Sequence, residues 1–419
     1  MIQIDLRAFD IEEAVIHLCS LVKSNKNENL RITEALGRIL ADDFVTPFPM
    51  PPFRRAAMDG YAVQYNDIAE ASPNNPVTLC IVDEIKAGSR LSVVNEANQV
   101  KSACRIYTGA SVPDYYDTII VQEAIPLDQI EALQGNIQIS KPFKQGEHIA
   151  EAGEDMASGT TALTKGTPIG AKEIAILASY GQSHISVFKR PKITVIPIGD
   201  ELLSPGDKVK QNHIFDANSF MVEARACELG ASIHRLNPVP DQVEAIMAIL
   251  KDAIKDSDVV ITTGGISVGK YDFVAQAVET IGGLPLFRKV RMRPGKPTSA
   301  FIVDEKLVIG LSGNPSACFA GLELLVKPVV MKLAGRRFYH NRYVKGMLTS
   351  GVNKPCPFTR FMRAHASWQG DKWLVEPLGN DKSGNIAAFS HANALAVIPS
   401  GNRGAAKDEV VNVLLLESL

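Results

Sequence analysis

Apolar residues recur at helical spacing near the start of the chain (Ile11, Ala14, Val15, Leu18, Leu21), which predicts an amphipathic helix over residues 9–22. Residues 33–40 read as a second short helical piece. Four prolines between positions 47 and 52 then forbid a helix and favour an extended arm. From 77 to 139 the pattern shifts to short β-type runs (77–82, 119–122, 137–140) broken by Gly, Pro and Asn, so a small β-rich domain is inserted after the arm. Thr108 opens a small-residue turn there, after a strand end at residues 105–107. A glycine-rich connector at 146–170 leads into a helical pattern at 171–180.

From Arg190 the pattern changes again. Residues 192–198 are a buried-type strand that empties into the acidic turn Gly199-Asp200-Glu201. A helix follows Asp216-Ala217-Asn218-Ser219 and stops at Gly230, and 231–236 is the next strand. Asp241-Gln242-Val243-Glu244 has capping-box spacing for a helix running to Lys255. The aliphatic run 258–263 then enters the loop from Gly264 to Asp272, and a helix is expected over 273–281. Strands alternating with helices of these lengths predict a doubly wound α/β domain, a parallel sheet covered on both faces. Ligands of such sheets bind beyond the carboxyl ends of the strands, where Glu201, Asp241, Gly264, Gly265, Asp272 and Gly313 are expected. The turn 291–298 is basic through Arg293 and Lys296, and Gly313-Asn314-Pro315 leads into a helix over 317–333. Beyond 338, β-runs at 361–368, 372–376, 394–398 and 409–416 predict a small barrel or sandwich whose role is structural or partner-binding. The expected regions are 1–52 with 141–187, 53–140, 188–337 and 338–419.

Composition narrows the picture. A chain of 419 residues exceeds one ordinary core, and 44 basic against 46 acidic residues argue against nucleic acid or a polybasic membrane surface as the main partner. Six scattered cysteines without a C-x-x-C pair read as reduced thiols. No apolar run approaches membrane-spanning length and the N-terminus lacks a signal-peptide pattern, so a soluble, cytoplasmic protein is expected.

The loop between Gly264 and Asp272 has the makings of an anion site, because glycines let backbone N–H groups approach an oxyanion and the next helix adds its positive end. Asp272 stands where either a helix cap or a ligand to metal or substrate would stand. Asp59-Gly60 reads either as a turn into a strand or as an acid presented beside Arg54 and Arg55. Together the acids (Asp59, Glu201, Asp216, Asp241, Asp272), the two glycine loops and the basic turn suit a phosphorylated or anionic substrate with Mg²⁺.

Seven motifs occur in order: Met58-Asp59-Gly60-Tyr61-Ala62, Thr108-Gly109-Ala110, Gly199-Asp200-Glu201-Leu202, Asp216-Ala217-Asn218-Ser219, Thr263-Gly264-Gly265-Ile266-Ser267-Val268-Gly269, Pro294-Gly295-Lys296-Pro297 and Gly313-Asn314-Pro315. The set resembles the MoeA family of molybdopterin molybdenumtransferases, which includes the gephyrin E-domain. The resemblance implies Mg²⁺-dependent insertion of molybdate into the dithiolene of adenylated molybdopterin, with release of AMP. It implies an elongated homodimer of four-domain subunits, dimerised through the N-terminal region, with a molybdopterin adenylyltransferase as upstream partner. Carried over, Glu201, Asp241 and Asp272 are functional acids of the molybdopterin-binding domain, with Glu201 and Asp241 as metal ligands. Asp59 and Thr108 reach the site from the other subunit. Gly264, Gly265, Ser267, Gly269, Arg293, Lys296, Gly313, Asn314 and Pro315 shape the pocket for pterin phosphates and oxyanion.

The chain departs from the family pattern at Arg54, Arg55, Lys270, Ser312 and Ala317, which add positive charge and remove a rigid proline. Two further functional classes stand beside the transferase. One is a divergent relative that binds pterin or a partner as a scaffold without catalysis. The other is a pterin adenylyltransferase, which would consume ATP and shares the Thr-Gly-Gly loop.

Overall fold

The computed structural model describes residues 8–89, 101–125, 130, 135–266, 272–379, 384, 386–401 and 403–416. The calls on Ser267, Gly269 and Lys270 lie outside the described residues. The chain forms two compact units: the described parts of Met1–Asp42, Lys165–Ala178 and Gln182–Leu419 make one, and those of Asp43–Thr164 with Ser179–Gly181 the other.

In the larger unit, six strands form a sheet in the order Ser232–Arg235, Lys192–Pro197, Val259–Thr263, Lys306–Leu311, Ser299–Val303, Leu284–Phe287. The first four are parallel, as the alternation of strands and helices predicts. Ser299–Val303 instead runs antiparallel to Lys306–Leu311, so the expected all-parallel sheet is mixed. The tight turn Asp304-Glu305 makes this possible: both residues have positive φ, the geometry that returns a chain directly on itself. Val259, Val260 and Ile261 are fully buried, because helices cover both faces of a central parallel strand.

The helix Ile11–Leu21 buries Ala14, Val15, Leu18 and Cys19, as its spacing predicts. Residues 33–40 do not form the expected helix. Only a single 3₁₀ turn exists at Ile32–Glu34, Gly37 has φ +73°, and Ile39 and Leu40 bridge to Pro168 and Val187. The capping box at Asp241 is also absent. The helix Val243–Asp256 starts from Gln242 without a side-chain cap, while the Asp241 N–H donates to Asp200.

The run after Pro315 is helical to Leu333 but widens to π geometry over Leu322–Val326. That stretch carries Glu323, 1% exposed, whose carboxylate accepts from Arg225 at 2.6 and 3.2 Å and lies 3.4 Å from Lys327. Removing an acid from such a network leaves buried cations without their counter-charge, which costs about 3–5 kcal/mol. Glu323→Ala is thus expected to lower the Tm by several degrees, and a melt indistinguishable from wild type would show that the network contributes nothing.

The C-terminal part of this unit is a closed five-stranded barrel. Thr359–Gln369 pairs with Lys372–Pro377, followed round the ring by Tyr343–Leu348, Val410–Leu415 and Ala394–Ile398, which returns to Thr359–Gln369. Met292–Arg293 adds in parallel beside Thr359 and Arg360, fastening the basic turn to the barrel.

The smaller unit is a five-stranded sheet in the order Thr118–Val121, Gly60–Val63, Ser102–Ile106, Val77–Ile85, Asn136–Ile139. The proline arm forms no helix, as expected, but bends at residues 47–48 and 51–53 instead of running straight, and Phe44–Val45 pairs with Thr161–Leu163 at its base. Gly60 is required where the sheet begins, because a Cβ there would lie 2.0 Å from the Ile120 carbonyl oxygen. No helix of the described residues is long and apolar enough to cross a membrane.

Candidate active site

Three adjacent strands supply the centre of the site. Lys192–Pro197 leads to Glu201, Val259–Thr263 to Gly264 and Gly265, and Lys306–Leu311 to Gly313. Their carboxyl ends open on one edge of the sheet, around a cavity of about 210 Å³. The structure gathers Glu201, Asp241, Gly264, Gly265, Gly313 and Pro315 in its lining. Gly264 has φ +88° and a Cβ on it would lie 2.2 Å from the Ile198 carbonyl oxygen. A Cβ on Gly313 would be 3.4 Å from the Gly264 Cα, so the two glycine loops meet backbone to backbone.

Negative charge concentrates here. Burial, reinforced by the carboxylates of Asp200 and Glu201, pushes the Asp241 carboxyl above its ordinary range. Asp216 is already engaged: its two oxygens accept from the N–H and hydroxyl of Ser219, fixing the start of helix Asn218–Glu228. The neighbouring Asn218 was not assigned a role by sequence reasoning. Its Nδ2 donates to Gly313 O at 2.8 Å, while its buried Oδ1 has no hydrogen-bond partner and the residue lines the cavity. The signal available in the sequence was an amide at a helix start within one of the seven motifs.

Asp272 is 8% exposed and caps helix Phe273–Thr280 by accepting from the Ala275 N–H at 3.1 Å. It does not line the acidic cavity. Burial raises its carboxyl above the ordinary range, opposed by the Ala275 N–H and by Arg288. The native state therefore holds this proton more tightly than the unfolded chain. Its stabilising contribution is complete below the ordinary carboxylate range and is lost as pH rises through the raised native value. An asparagine caps a helix as well as an aspartate. Asp272→Asn is expected to raise the Tm by about 2–4 °C at pH 7, with the gain shrinking as pH falls toward about 4. A Tm that falls at pH 7 would contradict this account.

A second cavity, of about 410 Å³, collects Arg293, Lys296, Ser312, Asn314 and Ala317 with Phe358 of the barrel domain. Lys296 Nζ lies 5.1 Å from the centre of the Phe358 ring, a contact that orients the ammonium without neutralising it. The Ser312 hydroxyl accepts from the Asn314 N–H at 3.2 Å, holding the loop in place of a proline ring. Along this loop Gly313 and Pro315 line the acidic cavity while Ser312, Asn314 and Ala317 line the basic one. One loop is thus the wall between a cation-seeking and an anion-seeking space. The barrel's contribution of Cys356, Pro357 and Phe358 had no legible chemistry in the sequence.

In the smaller unit, Asp59 accepts from both the N–H and the hydroxyl of Thr108 at 2.7 Å. These two bonds hold its carboxyl below the usual range. Arg54 is turned to Glu151 at 3.3 Å and to the Tyr116 carbonyl, and Arg55 is in a short strand paired with Ile149–Ala150.

Among the described residues no group of three or more His, Cys, Asp or Glu side chains could hold a metal ion. Mg²⁺ commonly takes one or two carboxylates and keeps waters or substrate phosphates as its other ligands. Glu201 and Asp241 fit that mode, and a closed protein cage is not formed.

With this geometry in view, three family descriptions match the chain in order. "MoeA N-terminal region (domain I and II)" matches residues 9–181, "Probable molybdopterin binding domain" residues 194–332, and "MoeA C-terminal region (domain IV)" residues 345–416. A molybdopterin molybdenumtransferase of Bacillus subtilis (strain 168) is 37% identical over 408 residues, covering 97% of this chain and 94% of that protein. One from Staphylococcus aureus (strain MSSA476) is 35% identical over 408 residues, covering 97% of this chain and 96% of that one. The crystal structure of a MoeA protein of molybdopterin biosynthesis from Pyrococcus horikoshii superposes with a TM-score of 0.84 at 29% identity, covering 98% of this chain and all of that one. The α/β unit and its flanking regions thus define a protein of the molybdopterin-binding class. The chain belongs to the MoeA family of molybdopterin molybdenumtransferases.

Proposed function

We propose that this protein inserts molybdate into adenylated molybdopterin, cleaving the pyrophosphate bond and releasing AMP. The observation that carries the reading is the pair of cavities on either side of the 312–317 loop, one lined by Glu201 and Asp241 and the other by Arg293 and Lys296. A substrate with a pyrophosphate and an incoming oxyanion needs both characters next to each other.

Glu201 and Asp241 would hold Mg²⁺, which when bound neutralises charge on the phosphate oxygens. The backbone of Gly264 and Gly265 leaves room for those oxygens, and Asn218 presents an amide oxygen to a substrate donor. Arg293 and Lys296 attract the molybdate anion and hold it in the basic cavity. Asp272 fixes the start of the helix that follows the glycine loop. The Asp59–Thr108 pair is assigned to the site of a second subunit in a homodimer. The protein is assigned to the cytoplasm, downstream of a molybdopterin adenylyltransferase.

The test is AMP release from adenylated molybdopterin by purified protein, with molybdate and Mg²⁺ each supplied or withheld. Release that requires both supports the transferase. Tight binding without release would make the protein a non-catalytic pterin binder, and ATP consumption with unadenylated molybdopterin would point to an adenylyltransferase.

A further inference from the structure

A third cavity, of about 480 Å³, shares no lining residue with the two described above. Its walls come from the segment at Gly166 and Pro168, from helix Lys327–Leu333, from the connector into the barrel and from the barrel itself, with Lys327, Arg336 and Arg342 as cations beside His340 and with Met331 and Leu414 as apolar surface. The acid that contacts Lys327 is already shared: Glu323 lies 3.4 Å from Lys327 but is held at two points by Arg225. Arg342 lies over the Phe338 ring, 5.3 Å from its centre. The Arg336 Nε is buried without a hydrogen-bond partner, and among the described residues Arg336 makes no ion pair. Asn341 spends its Nδ2 on the carbonyls of Glu323 and Leu324, and its buried Oδ1 also has no partner.

A guanidinium cannot shed its charge at any ordinary pH, so a buried N–H on one without an acceptor is costly unless a ligand supplies it. Burial alone lowers the Arg336 pKa, with no neighbouring carboxylate acting against it. We propose that this cavity binds a small phosphate monoester, with Arg336 as its anchoring cation. Of the three cations only Lys327 contacts a carboxylate among the described residues, and that carboxylate is already engaged, so a dianion balances the site better than a monoanion. The Arg fork matches phosphate oxygens, the Asn341 Oδ1 accepts from a hydroxyl on the ester, and Met331 and Leu414 cover its carbon skeleton. The site is independent of the transferase reading, because none of its residues lines either of the other cavities.

The test is calorimetric titration of the full-length protein, in phosphate-free buffer, with glycerol 3-phosphate and with glycerol as the uncharged control. Saturable binding of the ester and none of glycerol is expected. Arg336→Gln should weaken it at least tenfold and Arg342→Gln about threefold, whereas Lys296→Gln, in the other basic cavity, should leave it within twofold. Arg342 is exposed, so its variant reports on the site even if Arg336→Gln impairs folding. The proposal is overturned if the wild type shows no saturable binding, if glycerol binds equally, if neither arginine substitution weakens binding, or if Lys296→Gln alone abolishes it.

Discussion

Asp241→Asn is expected to lower Mg²⁺-dependent AMP release by about 100-fold or more while leaving the protein folded. The asymmetry follows from where Asp241 stands. Its carboxyl is half-buried beside Asp200 and Glu201, and burial together with those two charges pushes it above its ordinary range. An acid in that position costs the apo protein stability, so a neutral amide of the same shape is tolerated or stabilising. What the amide cannot do is balance a divalent cation, because an oxygen without net charge is a far weaker ligand for a hard ion. Glu201→Gln should act in the same direction and raise the Mg²⁺ concentration needed for half-maximal release. Activity of Asp241→Asn within about threefold of wild type, at unchanged Mg²⁺ dependence, would remove Asp241 from the metal site and with it the central assignment of the acidic cavity.

The elements that carry this cavity were legible because their signals are local. A buried strand shows itself as an aliphatic run, Gly230 marks a helix end, and Asp272 stands one residue before its helix and does cap it. The misreadings arise where a distant partner decides the conformation. Leu36, Ile39 and Leu40 have helical spacing, yet the chain at Ile39 and Leu40 is extended by bridges to Pro168 and Val187, more than a hundred residues away. The hairpin between Ser299–Val303 and Lys306–Leu311 turns through Asp304-Glu305, which lacks the Asn-Gly or Asp-Gly pair that would have announced it. The buried Glu323 bound to Arg225 and the approach of Phe358 to Lys296 join residues that no spacing rule connects. The acidic and basic halves of the site could each be read as residue types, but the loop that divides them became visible only when the alternation of 312–317 was set between two cavities.

Gly264→Ala is expected to be severely damaging to the α/β unit, and Gly282→Ala supplies its control. Both glycines have nearly the same backbone, φ +88° and φ +87°, so both alanine variants carry the left-handed strain of a non-glycine residue, about 1 kcal/mol. They differ in what the new Cβ meets. At Gly282 nothing lies within 4 Å, whereas at Gly264 the Ile198 carbonyl oxygen is 2.2 Å away. Real Cβ atoms do not approach an oxygen so closely, and the oxygen belongs to backbone that cannot rotate aside. Ile198 accordingly must move, with Glu201 three residues beyond it and the cavity both residues line. A loss of about 3 kcal/mol or more is expected for Gly264→Ala, against about 1 kcal/mol for Gly282→Ala, with AMP release abolished in the first and retained in the second. Thermal melts of the two variants side by side isolate the close approach from the strain they share. Equal shifts would mean that the loop yields without cost and that Gly264 is kept for its dihedral angle alone.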